Sequence, residues 1–187
     1  MRGYARLCKI CNVHIDKIVE AIRLEPNSYV WPTSGQPVVR DGHVLPDDLI
    51  HFYQLCSGLT MFTESYPLVI LPPDKVLLAN PVISSISETE FSIYGKDDIS
   101  WSWYVIAATD NGDYFSIDLS PERAGRCYDS FHETHALRGN TDVIAHTFTE
   151  FLERIFHLLR SCQSDGGFWE DKLKSLCLSD AYDDIAE

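Results

Sequence analysis

Cys8, Cys11 and His14 place three potential transition-metal ligands within seven residues near the start of the sequence. A structural zinc site requires four such ligands, and neither a second Cys-x-x-Cys pair nor a His-x₃₋₅-His pair follows. A thioredoxin-like redox pair would follow a strand and open a helix, whereas no strand pattern precedes Cys8. We therefore interpret the cysteines as ordinary thiols and expect no metal and no other cofactor, with a metal-dependent enzyme as an alternative.

Two other groups of side chains could bind a metal, and each has a simpler interpretation. His14 and Asp16 could be two members of a facial iron triad, but they lie at the start of a predicted helix, where Asp16 complements the N-terminal dipole. His132, Glu133 and His135 would need further ligands that the sequence does not nominate. We interpret this second group as part of a solvent-facing loop.

The signatures of the common catalytic mechanisms are absent from the sequence. There is no Gly-x-Ser-x-Gly nucleophile elbow and no Walker-type glycine loop ending in Lys-Ser/Thr. Adjacent acids such as Asp47 and Asp48 usually point in different directions, and nothing marks a distant pair as glycosidase carboxylates. We therefore predict no catalytic residues and a protein that is not an enzyme.

The sequence predicts three helices among the elements that position these side chains. Apolar residues repeat with the helical period in a first segment that ends at Pro26, in a second from Pro46 to Gly58, and in a third from about Val143 to Leu159. Residues 27–42 contain two prolines, two glycines and several small polar residues, which is typical of a long loop.

Between the second and third helices the period of the apolar residues changes to two. An alternating segment at 101–108 is followed by Asp110-Asn111-Gly112-Asp113 and a second alternating segment at 114–119, which predicts a β-hairpin because Asn-Gly tolerates positive φ. We predict shorter strands at Leu68–Leu71, Phe91–Tyr94 and Gly125–Asp129. The predicted fold is a single α+β domain with a mostly antiparallel, twisted sheet flanked by helices.

The charge balance limits the kind of partner. The sequence has 28 acidic and 15 basic side chains, a formal net charge of −13, and the negative charge begins near Asp41 because residues 1–40 hold more basic than acidic groups. Binding to a nucleic-acid backbone requires clustered Lys and Arg, so we expect no direct nucleic-acid contact. A basic protein partner would be attracted by this field, and solubility is the alternative explanation of the charge.

The sequence also predicts a compartment. Its start lacks the apolar run of a signal peptide, and no uncharged stretch approaches the roughly 18–20 apolar residues that span a bilayer. Six cysteines in such a chain favour free thiols in a reducing compartment over disulfides. We therefore predict a cytoplasmic protein that does not contact a membrane.

The order of these elements resembles a known family. The segment LPDDLIHFYQLCSG at 45–58 is similar to the "LPxDxxxFxxxxxG" helix that opens the SUKH superfamily, which includes the fungal Smi/Knr cell-wall regulators and many bacterial immunity proteins. Five further segments match the family in order: Ile70-Leu71-Pro72 its early strand, Val105–Leu119 its "(I/P)IAxDxxGDxxxxDL" hairpin, Gly125–Tyr128 its "GxVY" strand, Ala145–Leu152 its "IAxSFxEFL" helix, and Gly166–Trp169 its aromatic ending. The chain departs from the family at Thr147, where Ser is usual, at Pro121, Glu122 and Arg123 before the strand, and at residues 132–138, which diverge.

The resemblance implies a domain organisation and a function. Residues 44–170 would form the SUKH-like α+β domain, residues 1–43 an N-terminal helix and loop packing on it, and residues 171–187 an acidic C-terminal tail. The implied function is a non-enzymatic protein-binding module, an immunity protein that neutralises a polymorphic or contact-dependent toxin, for example a nuclease, by binding it. The partner would then be a basic toxin domain. A regulatory interaction protein of the Smi/Knr type is the alternative.

The partner-binding residues are predicted from the aromatic side chains of the sheet and nearby acids. Tyr and Trp are enriched at binding hot spots, although the same residues could all serve packing. We predict that six residues lie near the binding surface: Trp103, Tyr104, Tyr114, Asp118, Tyr128 and Glu133. The oligomeric state stays open.

Overall fold

The computed structural model describes residues 4–64, 67–85, 98–165 and 172–178, with side chains from His14 onward. The elements in chain order are α1 (Tyr4–Leu24), β1 (Tyr29–Val30), α2 (Asp47–Leu55), β2 (Leu59–Met61), β3 (Leu68–Ile70), α3 (Ala79–Ile83), β4 (Trp103–Thr109), β5 (Tyr114–Asp118), β6 (Cys127–Ser130), β7 (Val143–Ala145) and α4 (Phe148–Asp165). Short 3₁₀ turns at Pro73–Lys75 and Ile99–Ser102 precede α3 and β4.

The described strands form one antiparallel sheet in which each strand pairs with the next, in the order β1 to β7. This arrangement confirms the predicted α+β class with a mostly antiparallel sheet. The predicted hairpin is formed by β4 and β5, and Gly112 adopts a φ of 92° in its turn. A register shift between Val105 and Ala107 places a bulge in β4, in the middle of the sheet.

The main hydrophobic core lies between the sheet and the three longer helices. The helices α1, α2 and α4 contact one another, and their apolar stripes face the same side of the sheet. Fully buried members of this core include Ile15, Ile22, Phe52, Phe148 and Phe151. The apolar residues that repeat with the helical period in the sequence therefore supply the helical side of this core.

A second, smaller core covers the opposite face of the sheet. It contains Trp103 and Val105 from β4, Tyr128 from β6, Val143 from β7 and Ala79 from α3. Because α3 and the turns before β4 cover this face, the middle of the sheet is buried on both sides. The aromatic residues of both faces are consequently removed from solvent.

The predicted start of the third helix at Val143 is wrong. Val143–Ala145 is strand β7, and α4 begins at Phe148. The helix is stopped at this end by a capping arrangement: the Thr147 hydroxyl accepts the Glu150 amide hydrogen at 3.1 Å, and the Glu150 carboxylate accepts the His146 amide hydrogen at 3.0 Å. The apolar residues upstream of this cap are free to pair with β6.

Other boundaries also differ from the predictions. Tyr29–Val30 forms β1 inside the predicted loop and pairs with β2, a strand that the sequence did not predict. Trp101 lies in the 3₁₀ turn, so the strand starts at Trp103 rather than at residue 101. The predicted strand at 91–94 and the aromatic motif at 166–169 lie outside the described residues.

The described part of the C-terminal segment covers the outer edge of β7. The Leu178 amide donates to the Val143 carbonyl at 2.8 Å, and the Arg154 guanidinium donates to the carbonyls of Ile144 and Leu176 at 3.2 and 2.9 Å. These bonds satisfy backbone groups that an edge strand would otherwise present to other chains.

Candidate functional site

The structure separates the six predicted binding residues into two groups. Glu133 is exposed and Tyr114 is half-buried, so both reach the surface. The other four are buried, with 2% or less of each side chain exposed: Trp103, Tyr104, Asp118 and Tyr128. These four can influence a partner only through the surface residues that they support, and their part in binding stays a prediction.

Asp118 organises the end of the central hairpin. Its carboxylate accepts hydrogen bonds from the hydroxyl of Ser102 at 2.7 Å, the indole N–H of Trp103 at 3.2 Å and the amide of Ser120 at 2.8 Å. The Arg123 guanidinium donates to the same carboxylate at 2.7 Å. A fully buried charge is tolerated because these four donors replace the lost water.

Trp103 is held between two partners in the second core. Its ring stacks on Tyr128 with centroids 3.8 Å apart and meets the edge of His135 at 5.8 Å. The His135 Nε2 atom hydrogen-bonds to the side-chain oxygen of Asn80 at 2.8 Å, and the Asn80 amide donates to Ser100 at 2.9 Å. Burial lowers the pKa of His135 to about 4, so the imidazole is neutral at pH 7.

Tyr104 points its hydroxyl to the other side of the sheet. The Arg40 amide donates to this hydroxyl at 3.1 Å, and His43 Nδ1 lies 2.8 Å from it. Burial and the nearby Arg40 charge lower the pKa of His43. Tyr104 therefore fixes the chain between Arg40 and His43 against the sheet.

Tyr114 and Glu133 lie at an end of the sheet where several carboxylates come together. Burial, together with the charges of Asp142 and Asp113, raises the pKa of Asp129 to about 6. We call Asp113, Tyr114, Asp129, Glu133 and Asp142 the acidic edge. This concentration of negative charge could bind cationic side chains of a protein.

His132 and His135, which we predicted to lie in one solvent-facing loop, lie in different surroundings. His132 is exposed and reaches the acidic edge, where its Nδ1 lies 3.3 Å from the Asp113 carboxylate. His135 is buried in the second core. They do not face a common site, so the structure gives no support to a metal site built from this pair.

The other candidate metal ligands, which the sequence analysis set aside, also point apart. His14 contacts Glu153 of α4 at 3.1 Å, and Asp16 contacts His51 of α2 at 2.7 Å. The side chains of Cys8 and Cys11 lie outside the described residues. Among the described residues no three His, Cys, Asp or Glu side chains are grouped so that they could hold a metal ion.

A groove opens between residues 34–40 and residues 73–82, and Tyr104 lines part of it. It consists of two adjoining hollows of about 420 and 460 Å³, which share Val38, Val76 and Leu77. We call it the apolar groove. The sequence analysis missed it because its walls come from an irregular segment at 34–40 and from the 3₁₀ turn and short helix α3 at 73–82, which are too short to show a period and are distant in the chain.

Among the described residues, no helix is long and apolar enough to cross a membrane.

The fold and the motif positions agree with one known family. The profile of the SMI1 / KNR4 family (SUKH-1) matches residues 41–154, and the chain belongs to this family. The predicted SUKH resemblance is thereby confirmed. The chain is similar to the immunity protein YokJ of Bacillus subtilis (strain 168), with 34% identity over 175 residues that cover 91% of this chain and 97% of the relative. No solved structure gives a significant match to the chain.

Proposed function

We propose that this protein is an immunity protein that neutralises a toxin domain by binding it, without catalysing a reaction. The observation that carries the proposal is the 34% identity to an immunity protein along 91% of the chain, within the same family. An identity of this extent covers more of the chain than residues 41–154, which the family profile matches. The two proteins therefore share one architecture and, we infer, one kind of partner.

The charge of the chain supports a basic toxin domain as that partner. The formal net charge of −13 would accelerate encounter with a cationic protein such as a nuclease, whose own active site attracts phosphate. The acidic edge supplies a local concentration of this charge, and the exposed Glu133 and half-buried Tyr114 would contact the partner there. Trp103 and Asp118 pair at the other end of the β4–β5 hairpin, so they, with Tyr104 and Tyr128, would act only by keeping the sheet rigid.

The thiols support action in a reducing compartment. Cys56, Cys127, Cys162 and Cys177 are free in the described part of the chain, and burial raises the pKa of Cys56 and Cys127. Buried neutral thiols are stable in the cytoplasm, where a delivered toxin would meet its immunity protein. We therefore place the protein in the cytoplasm.

An affinity pulldown from the source organism, followed by mass spectrometry, tests the proposal. We expect one toxin domain with a basic surface, recovered less efficiently at high salt because the attraction is electrostatic. Co-expression of that domain with this chain should restore growth of a host that the domain alone inhibits. Recovery of several unrelated proteins, with no protection from any of them, would instead indicate a regulatory interaction protein.

A pair of charge-neutralising variants tests the proposed surface. Glu133→Gln removes a carboxylate from the acidic edge, whereas Glu122→Gln removes an exposed carboxylate elsewhere. We expect slower association and a weaker salt dependence for Glu133→Gln only. Equal association rates for both variants would show that the toxin binds another face.

A further inference from the structure

Five side chains form a continuous row across the face of the sheet opposite the main core. Directly paired residues of antiparallel strands point to the same face, so the pairs that join β1 to β5 place their side chains next to one another. Their chain neighbours Leu59, Ile70 and Phe115 lie in the main core, which places the row on the other face. We call it the open row; it consists of Tyr29, Thr60, Val69, Ala108 and Tyr114.

The second core covers another part of this face and stops at the open row. It includes Trp103 at the start of β4, and Tyr114 packs against its border. In the described part of the chain, Val69 and Ala108 pack against neither core. Tyr29 is 61% exposed and the other four side chains are half-buried, so solvent reaches the whole row.

The open row carries no charged side chain. The solvent-facing side of an antiparallel sheet is normally polar, whereas here Val69 and Ala108 lie between two tyrosines. Tyrosine is enriched at protein-binding hot spots, because its ring offers a large contact area at a low entropic cost. The centre of a protein interface is depleted of charge and enriched in aromatic residues, and the open row has this composition.

Acidic connections border the open row along one end of the sheet. The strands alternate in direction, so the β2–β3, β4–β5 and β6–β7 connections all lie at the end where the row crosses the strands. The sequences of these connections contain one Lys or Arg, Arg138. Their described carboxylates are exposed or half-buried and belong to Glu64, Asp110, Asp113, Glu133 and Asp142. A basic protein that covers the row would therefore meet opposite charge along its border.

We propose that the open row is the apolar centre of the surface on which the toxin domain docks, with the acidic connections as its rim. The inference rests on the proposed function for the identity of the partner, and it names the part of this chain that the partner covers. The occupant is a folded basic domain with an apolar patch surrounded by Lys and Arg. Contacts at the centre of such an interface slow dissociation, whereas charges at the rim accelerate association.

Substitutions at two positions of the open row test it, with the toxin domain that the pulldown identifies as the probe. Val69→Glu adds a carboxylate that attracts a basic domain from a distance but loses its water in the complex. We expect this complex to dissociate at least tenfold faster than that of the wild type, without slower association, as measured by surface plasmon resonance. Tyr29→Ala changes no charge, and its complex should also dissociate at least tenfold faster.

The matched control is Val38→Glu, the same substitution at a valine that is 91% exposed and lies outside the open row. Its complex should dissociate as slowly as that of the wild type. Thermal unfolding of each variant shows whether the fold is kept, and Tyr29→Ala decides the question if Val69→Glu does not fold. Dissociation of the folded open-row variants at the rate of Val38→Glu would overturn the proposal.

Growth protection separates this inference from the function on which it rests. A wild-type chain that protects a host against no toxin would reject the immunity function and the docking surface with it. A wild-type chain that protects, while Val69→Glu and Tyr29→Ala bind the toxin domain unchanged, would reject the open row and leave the immunity function in place.

Discussion

Asp48, in the first turn of α2, caps helix α4 across 101 residues of sequence by accepting two hydrogen bonds from Thr149. The Thr149 amide donates at 2.8 Å and its hydroxyl at 3.0 Å to the same carboxylate oxygen of Asp48. The two residues belong to two segments that identified the family, "LPxD" and "SFxEFL". The "LPxD" motif therefore supplies the cap for the helix that the "SFxEFL" motif begins. This structural role accounts for the Asp at position 48 without any role in binding.

Removal of this cap should destabilise the protein but should not change which partner it binds. Asp48→Ala leaves the Thr149 amide without its acceptor and is expected to lower the free energy of unfolding by about 1–2 kcal/mol. Asp47→Ala, its exposed neighbour in the same turn, should change stability by less than about 0.5 kcal/mol. Urea denaturation of both variants measures the difference, and equal midpoints would contradict the capping role.

Asp118→Ala should destabilise the protein more strongly. Ser102, Trp103, Ser120 and Arg123 all donate to this carboxylate, so its removal leaves buried donors and a guanidinium without their acceptor. The expected loss is about 3–5 kcal/mol in the free energy of unfolding. Chemical denaturation beside an exposed control, Asp41→Ala, checks it; a loss as small as that of the control would show that the network is dispensable.

Gly58 should not accept a side chain. Its φ is 136°, and a Cβ atom there would lie 2.6 Å from the Ile70 carbonyl oxygen. Gly58→Ala is expected to cost more than about 1 kcal/mol in stability, because strain and overlap add. Gly35→Ala, at a φ of 112° with no atom within 4 Å, isolates the strain alone. Similar melting temperatures for the two variants would rule out the overlap with Ile70.

The stability contributed by Asp129 should fall as the pH rises. Its folded pKa of about 6 lies above the ordinary value of 3.8, so the folded state retains a proton that the unfolded state has released between pH 4 and 6. Asp129→Asn should therefore be more stable than the wild type by about 1–3 kcal/mol at pH 7 and nearly equal to it at pH 4. Urea titrations at both pH values, with Asp41→Asn as the control, test this; a gain that does not depend on pH would refute the charge effect.

His135 should have the opposite pH dependence. Its folded pKa of about 4 lies below the ordinary value of 6.5, so its contribution to stability is complete above pH 6.5 and is lost as the pH falls towards 4. Between pH 7 and pH 4 the free energy of unfolding of His135→Gln should therefore fall by about 2–3 kcal/mol less than that of the wild type. His132→Gln, at an exposed histidine, is the control for the substitution itself. A wild-type profile in His135→Gln would show that folding does not lower the pKa of His135.

The elements predicted correctly are those with local signals. Helices α1 and α2 have apolar residues at helical spacing, and the β4–β5 hairpin has Asn111-Gly112 in its turn. The strands that were missed, β1, β2 and β7, have two or three residues each. So short a segment shows no period, and its extended form depends on hydrogen bonds to strands elsewhere in the chain.

The sequence by itself determined the family, the α+β class, the helical stripes and the negative charge, because each depends on residue type and local spacing. The tertiary structure decided which aromatic residues reach solvent. Alternation in β4 cannot tell whether the second face of the sheet is covered, and α3 with its turns buries Trp103 and Tyr128 there. Likewise Val38 and Leu77 line one groove only because the folded chain brings residues 34–40 close to residues 73–82.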